Sequence, residues 1–533
     1  MKAEDLLKRH DDLASRRTNW ESHWLEIGQH LVPRYQDFNQ TLTPGQKRTE
    51  YIFDSAGPVA VERYAALIEA MISPRTQKWH RIRAARDELN NDDSVKAYFD
   101  DVTNRMFKVR YGPRANFASQ MHEAYVSVAA FGTGILEIEK SDQSGIRYRA
   151  RSLGECYIDE NSGGIVDTLH RKFTLTSRQA AQKFGDKLPA KIAAAVEKEP
   201  FREWMFLHCV KANDDYAPGS FGPRGFAYSS YYVSIDEKSV VEEGGYRTFP
   251  YAVFRLVTAP GEIYGRSPAM LALPDVKTLN QMVKTNMRVA HREAEPPILL
   301  MDDGILEALN TTPNAMNFGM MTPEGKPKAV PFQSGAKLPY GLDMEDRRRQ
   351  MILSTFNLDM LQTLRDNPNM TATMAMELVN QRAILFGPEG ARLQSEGHGP
   401  MVEREYQILD DARMLPDMPD ELAQAGAGYE IAYDSPLARA QRAEEAIALT
   451  RTLEIIGPLA SVDPKILQRF NGDEAVKMVA EITGLPSRIL RSDDEYEALT
   501  QQSDAMSMVG AAAQAGPGLA QTVKLLTDQR QAA

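Results

Sequence analysis

Lys277, Lys284, Arg288 and His291 recur at the 3.6-residue spacing of one helical stripe, and Arg292 stands beside it. Such a stripe can hold phosphate oxygens by charge alone, without reading bases. It is equally the pattern of a solvated face on an ordinary surface helix. Val276, Leu279, Met282, Val283 and Val289 fall mostly on the other side, so this helix has an apolar face with which to pack. A second cationic group, Arg347, Arg348 and Arg349, is consecutive. Neighbouring helical residues point about 100° apart, so these three cannot form one stripe.

Motifs for catalysis are missing from the sequence. Gly325–Lys326 runs into Pro327, so no phosphate-cradling G-x-x-x-x-G-K-[ST] loop is formed. Met121-His122-Glu123 has no partner histidine four residues on. No G-x-S-x-G elbow occurs. Phe131-Gly132-Thr133-Gly134 lacks a third glycine and leads into a strand pattern, which excludes a dinucleotide turn. Cys156 and Cys209 form neither a disulfide framework nor a zinc site. The acidic pairs Asp302–Asp303 and Asp410–Asp411 read as solvated neighbours rather than acid–base dyads. No catalytic residue, metal ligand or cofactor is expected.

The chain has 533 residues, 43% of them hydrophobic and 25% charged, with a net charge of −11. The length allows two to four units or one elongated subunit. The acidity argues against tight, salt-resistant binding to free DNA and is compatible with a conduit through which DNA slides. No run of 18 apolar residues occurs and the first residues lack an apolar signal-peptide core, so a protein kept in a reducing cytosol without membrane spans is expected.

Periodicity places the cations on elements. Turn residues Pro260–Gly261 and Ser267–Pro268 open a helix that Pro296–Pro297 closes, with Pro274 as a kink or restart. From Asp275 the helix spans about 21 residues, roughly 30 Å. Upstream, helices are expected over residues 3–32, from Asp54–Ser55 to Ser73, over Ser94–Val109 and from Asn116–Phe117. After Gly132 the period becomes two, predicting an α+β middle third with mostly antiparallel strands, near 146–151, 173–175, 204–210, 228–235 and 254–257. Helices are expected at Ser177–Phe184 and Ala190–Lys198, and an exposed loop at Asp214–Phe226. P-P-I-L-L-M and K-A-V-P-F read as strands around a short helix Asp302–Leu309, and Asp343–Met360 as a returning helix. Gly387–Pro388 must kink the next helix, and Gly397-His398-Gly399 must loosen it. The last hundred residues read as helical, with a low-complexity tail from Gly510.

Four segments in order carry a family resemblance. Y-G-R-S-P-A and L-P-D-V-K-T-L-N lead into the helix ending in E-P-P. N-F-A-S-Q-M-H-E-A-Y-V-S-V-A-A-F-G-T-G-I-L-E-I-E spans 116–139. I-S-P-R-T-Q-K-W-H-R-I follows the second helix, with His80 where the family has an aromatic. M-T-A-T and G-P-E-G-A-R-L-Q-S-E fall in 369–409. Together they resemble the portal proteins, the head-to-tail connectors of podovirus-type bacteriophages, over roughly residues 1–420. The resemblance implies an elongated α+β subunit with a wing (1–260), a first stem helix (261–296), a clip (297–340) and a second stem helix (341–362). A channel loop with a long kinked wing helix (363–434) and a helical crown or barrel (435–533) would follow. It implies a homo-oligomeric ring of twelve subunits at one capsid vertex, assembled in the bacterial cytoplasm and retained in the virion. Double-stranded DNA would pass through it without sequence specificity. Terminase, tail adaptors, the major capsid protein and scaffold would be its partners. On this reading Lys277, Lys284, Arg288 and Arg292 face the channel, with Asn367, Asn369 and Met370 on the loop nearest the DNA. Arg347, Arg348 and Arg349 lie at subunit contacts. The competing assignment puts the α-helical cations in inter-subunit salt bridges. Another ring-forming virion component and a cytosolic α+β enzyme are the alternative functions.

Overall fold

A computed structural model describes residues 2–35, 45–143, 145–300, 320–331, 338–358, 385–426 and 428–438, with a few single residues between and beyond. The described chain is α+β. One compact unit comprises Met1–His80, Val102–Pro416 and Ser435–Leu437; the other includes Arg81–Asp101 and Asp417–Asp434.

In the larger unit α1 (Ala3–His30) buries Leu6, Leu13, Trp24 and Ile27 along one side, as its apolar spacing requires. α2 (Ala56–Ile72) ends at Ser73, whose backbone N–H still donates to Glu69. β1 spans His80–Ala84 and α3 Asp93–Arg110. α4 (Phe117–Phe131) is almost wholly buried over its last turns and stops at Gly132, which takes a left-handed φ of 73°. A side chain at Gly132 would overlap the backbone of Gly265 and Arg266, so the close approach also requires glycine.

Two antiparallel sheets follow. β2 (Thr133–Ser141) is the centre of a three-stranded sheet, between β3 (Gly145–Arg151) and β9 (Tyr251–Arg255). The five-stranded sheet runs in sequence order through β4 (Cys156–Glu160), β5 (Val166–Thr176), β6 (Glu203–Ala212), β7 (Tyr228–Ser234) and β8 (Ser239–Tyr246). Strand alternation gives this sheet two different faces. Phe173, Phe206 and Tyr232 pack with Phe184 of α5 (Ser177–Phe184) and Ile192 of α6 (Ala190–Lys198). Leu207, Cys209, Tyr231 and Val233 point the other way, onto Ala3 and Leu6 at the start of α1. The Thr176–Gln179 capping box starts α5.

Several expected boundaries shift. The strand expected at 254–257 lies at 251–255, and β4 and β8 form where no strand was expected. Pro274 neither restarts nor ends its helix: α7 runs without interruption over Pro268–Ala294. β10 (Ile298–Leu300) and β11 (Ala329–Pro331) pair antiparallel, bringing together the two apolar runs P-P-I-L-L-M and K-A-V-P-F. α8 returns over Leu338–Thr355. Residues 385–392 are helical through Gly387–Pro388, and the glycines beyond them widen the helix into a π-turn at Leu393–His398 before α9 (Gly399–Asp411). Gly397 lies where any Cβ would overlap the Phe254 ring of β9. His398, fully buried there, donates from Nδ1 to the Leu393 carbonyl at 3.0 Å and accepts at Nε2 from the Tyr125 hydroxyl at 2.9 Å. Burial lowers its pKa to about 4.

The smaller unit holds most of β1, paired with β12 (Tyr429–Tyr433). Arg81 forms an ion pair with Asp434, and Arg83 reaches Glu430 at 3.1 Å. Asp92 caps the start of α3, its carboxylate accepting from the N–H of Ser94 at 2.7 Å. α10 (Asp420–Ala425) completes its described part. The expected helices beyond 438, the short helix Asp302–Leu309 and the loop at 363–384 lie outside the described residues.

Candidate nucleic-acid interface

α7 presents the cationic stripe, and its first half is clamped into the body. Ser267 caps it, accepting from the N–H of Met270 at 3.3 Å and donating to the Ala130 carbonyl at 2.7 Å. Pro268 occupies the first turn, where a missing N–H costs nothing. Ala269, Met270, Ala272, Leu273, Val276, Leu279 and Asn280 are buried; no residue after Asn280 in this helix is. Gly341 of α8 faces Asn286 of α7 so closely that a Cβ would stand 2.6 Å from its amide nitrogen.

A polar relay fixes where the clamped half ends. The Asn280 amide oxygen accepts from the backbone N–H of Phe53 at 2.6 Å and of Asp54 at 2.9 Å, while its nitrogen donates to the Val276 carbonyl at 3.0 Å. Asp54 accepts from Arg349 on α8 at 2.9 Å, Arg349 also reaches Glu345 at 3.0 Å, and Glu345 accepts from Asn286 at 2.7 Å. Burial opposes the Arg349 charge, but its hydrogen bonds to Asp54 and Asp346 raise the pKa above the ordinary value. Asn280 and Glu345 carry no sequence signal beyond helical position, and Asp54 reads only as a helix start.

The cations separate into engaged and free. Lys277 forms an ion pair with Glu26 of α1. Lys284 lies 5.1 Å from the Phe53 ring centroid. Arg348 pairs with Asp275, and Arg349 belongs to the relay. Arg347 is 75% exposed and pairs with Asp343 at 3.0 Å within its own helix. Arg288, His291 and Arg292 are exposed on the far half of α7 and have no ion-pair partner among the described residues. The structure therefore does not bring all four α7 cations to one equivalent state. Asn367, Asn369 and Met370 lie outside the described residues.

The arrangement can bind polyanions by charge, and no group of three metal-ligating side chains occurs among the described residues. Nor is any described helix long and apolar enough to cross a membrane. The family described as bacteriophage head to tail connecting protein matches residues 3–490. The chain is 28% identical to the probable portal protein of Bordetella phage BPP-1 over 506 residues, covering 93% of this chain and 90% of that one. It is 26% identical to the portal protein of Salmonella phage epsilon15, covering 97% of this chain and 95% of that one. Helix hairpin, antiparallel sheets and small two-stranded insertion thus occur in a chain that belongs to the bacteriophage head-to-tail connecting protein family, and it is a portal protein.

Proposed function

We propose that the chain is the repeating subunit of a closed ring, of twelve copies, at one vertex of a phage capsid. Double-stranded DNA passes through the ring during packaging and ejection. Terminase docks on it first and tail adaptors later, with scaffold and the major capsid protein around it. The family match over residues 3–490 carries this reading. Identical subunits close a ring through heterologous, head-to-tail contacts, one on each side of every subunit. The wing, stem, clip and crown boundaries expected from the resemblance describe its parts.

Arg288 and Arg292 are the foremost candidates for the channel wall. They are exposed and uncommitted among the described residues, and a conduit needs weak, sequence-independent phosphate contacts. Lys277 and Lys284 belong to the same stripe but are engaged within the chain, so they support the wall more than they meet the DNA. Asn367, Asn369 and Met370, outside the described residues, are the remaining candidates for meeting the DNA. Arg347 is the foremost candidate for a contact between subunits, ahead of Arg348 and Arg349.

Native mass and particle images of the purified protein test the ring. A closed ring of about a dozen copies with a central hole is expected; a compact monomer or dimer under every condition, scaffold included, overturns it. Charge-neutral substitutions at 277, 284, 288 and 292 then test the wall. Rings that still form but package or retain DNA differently support it, whereas rings that no longer assemble place these cations between subunits.

A further inference from the structure

Ala3, Leu6, His10 and Leu13 follow one another at helical spacing along the buried side of α1, and His10, 6% exposed, interrupts an otherwise apolar stripe. It packs on His170 of β5, 1% exposed, with the two imidazole rings stacked at 6.1 Å between centroids and 20° between planes. Tyr157 of β4 meets His10 edge-on at 4.5 Å. Strand register sets Tyr157, His170, Cys209 and Tyr231 in one row across β4, β5, β6 and β7. The histidine pair therefore lies on the sheet face that Ala3 and Leu6 cover. Both Nδ1 atoms are buried and have no hydrogen-bond partner.

The charges around the pair do not invite a proton. On α1, Arg17 is paired with Glu21 at 2.6 Å, and Arg9 is paired with Asp159 of β4, which also lies 4.0 Å from Arg16. β5 adds Lys172, while β6 and β7 bring Cys209 and Tyr231 beside His170. Among the charges acting on His10, only exposed Asp11 favours its cation. Burial first, then Lys172, lowers the His10 pKa to about 4. Burial, then His10 itself, lowers that of His170 to about 3.

Past Leu13 the helix is fastened by groups that keep their charge in acid. Arg17 donates to the carbonyls of Leu153, Gly154 and Cys156, and Trp24 and Ile27 are fully buried. We propose that His10 and His170 are an acid-operated latch: protonation of the stacked pair releases residues 3–13 from the five-stranded sheet and uncovers Leu207, Cys209, Tyr231 and Val233, with the rest of the body still folded. Each imidazole takes one proton from water. Two imidazolium rings on a face closed to solvent, with no carboxylate bonded to either, are strongly unfavourable. Docking is complete above the ordinary value of 6.5 and is lost as pH falls towards the lowered values.

Cys209 reports the release, and Cys156, buried where Arg17 holds the body, reports everything else. The full chain is treated with dithiodipyridine, which reacts with thiols in acid, and the labelled cysteine is identified by peptide mass. Relative to free cysteine, labelling of Cys209 should quicken by about a few hundredfold between pH 7 and pH 5. Cys156 should stay protected and circular dichroism nearly unchanged. His10→Phe and His170→Phe should each cut the acceleration about twentyfold, and His10→Gln should do the same if an aromatic replacement fails to fold. Cys209 still protected at pH 5, both cysteines labelled at one rate, or equal acceleration in the folded variants would overturn the proposal.

Discussion

The sheet-bearing body and the far half of the α7–α8 hairpin treat charge in opposite ways. In the body, Arg17 donates to the carbonyls of Leu153 at 2.8 Å and Cys156 at 2.6 Å as well as to Glu21. Arg255 joins Glu160, Glu396 and the carbonyls of Ile263 and Gly164. Arg110 and Glu405 neutralise one another out of contact with water, with Tyr148 donating to Glu405 at 2.7 Å and His80 beside the guanidinium at 2.8 Å. Beyond Asn280, by contrast, Arg288 and Arg292 stand in solvent. A charge can be buried when its neutralising partners come from the same chain. A charge left in water is of little consequence to the subunit and remains available to a partner.

The widest test of that contrast is Arg110→Met. It leaves Glu405 buried without its cation, and urea unfolding should show a loss of about 3–5 kcal/mol; a loss under about 1 kcal/mol would mean that the body tolerates lone charge after all. Next, Asn280→Ala removes the acceptor for two backbone N–H groups where the clamped half of α7 ends, and about 2–3 kcal/mol should be lost. Hydrogen exchange at Phe53 and Asp54 should accelerate in step; unchanged protection there would break the claim that this residue closes the body.

His10→Phe sharpens the comparison through pH. His10 is buried on α1 with an unpartnered Nδ1, and burial lowers its pKa from 6.5 to about 4. The unfolded chain therefore takes up its proton first. The stability it contributes is full above the unfolded value and is lost as pH falls through the folded one. Removing the group should shrink the stability difference between pH 7 and pH 5 by about 2 kcal/mol; an undiminished slope would place the titration elsewhere. The smallest effect belongs to Arg288→Gln and Arg292→Gln. Each should alter subunit stability by no more than about 0.5 kcal/mol while changing DNA retention; a large stability loss would make them body residues.

Much of the frame was legible because its signals are local. The cap at Ser267, the stop at Pro296 and the strand alternation after Gly132 each act over a few residues. β4 escaped notice because Cys156–Glu160 is short, and β8 because its Glu-Glu-Gly-Gly run resembles a turn. Pro274 lies early in α7, where the body holds buried Leu273 and Val276 on either side of it. The candidate site was read only halfway. Periodicity put Lys277 and Arg288 on one stripe, but not that Glu26, far away in sequence, would claim the first. Arg404 was hidden for the same reason: polar residues on a helix pattern read as solvated, and only tertiary packing shows otherwise.

The π-turn at Leu393–His398 has a consequence for the arithmetic of the chain. It takes up one residue more than an α-helical turn would, so everything after it is rotated by about 100° relative to the helix before it. Arg404 and Glu405 point inward only because of that offset. A single-residue deletion between 393 and 398 would leave composition and helicity nearly intact. It would still turn both charges away from Thr248 and Arg110, so this short stretch sets the phase to which the buried charges of α9 are tuned.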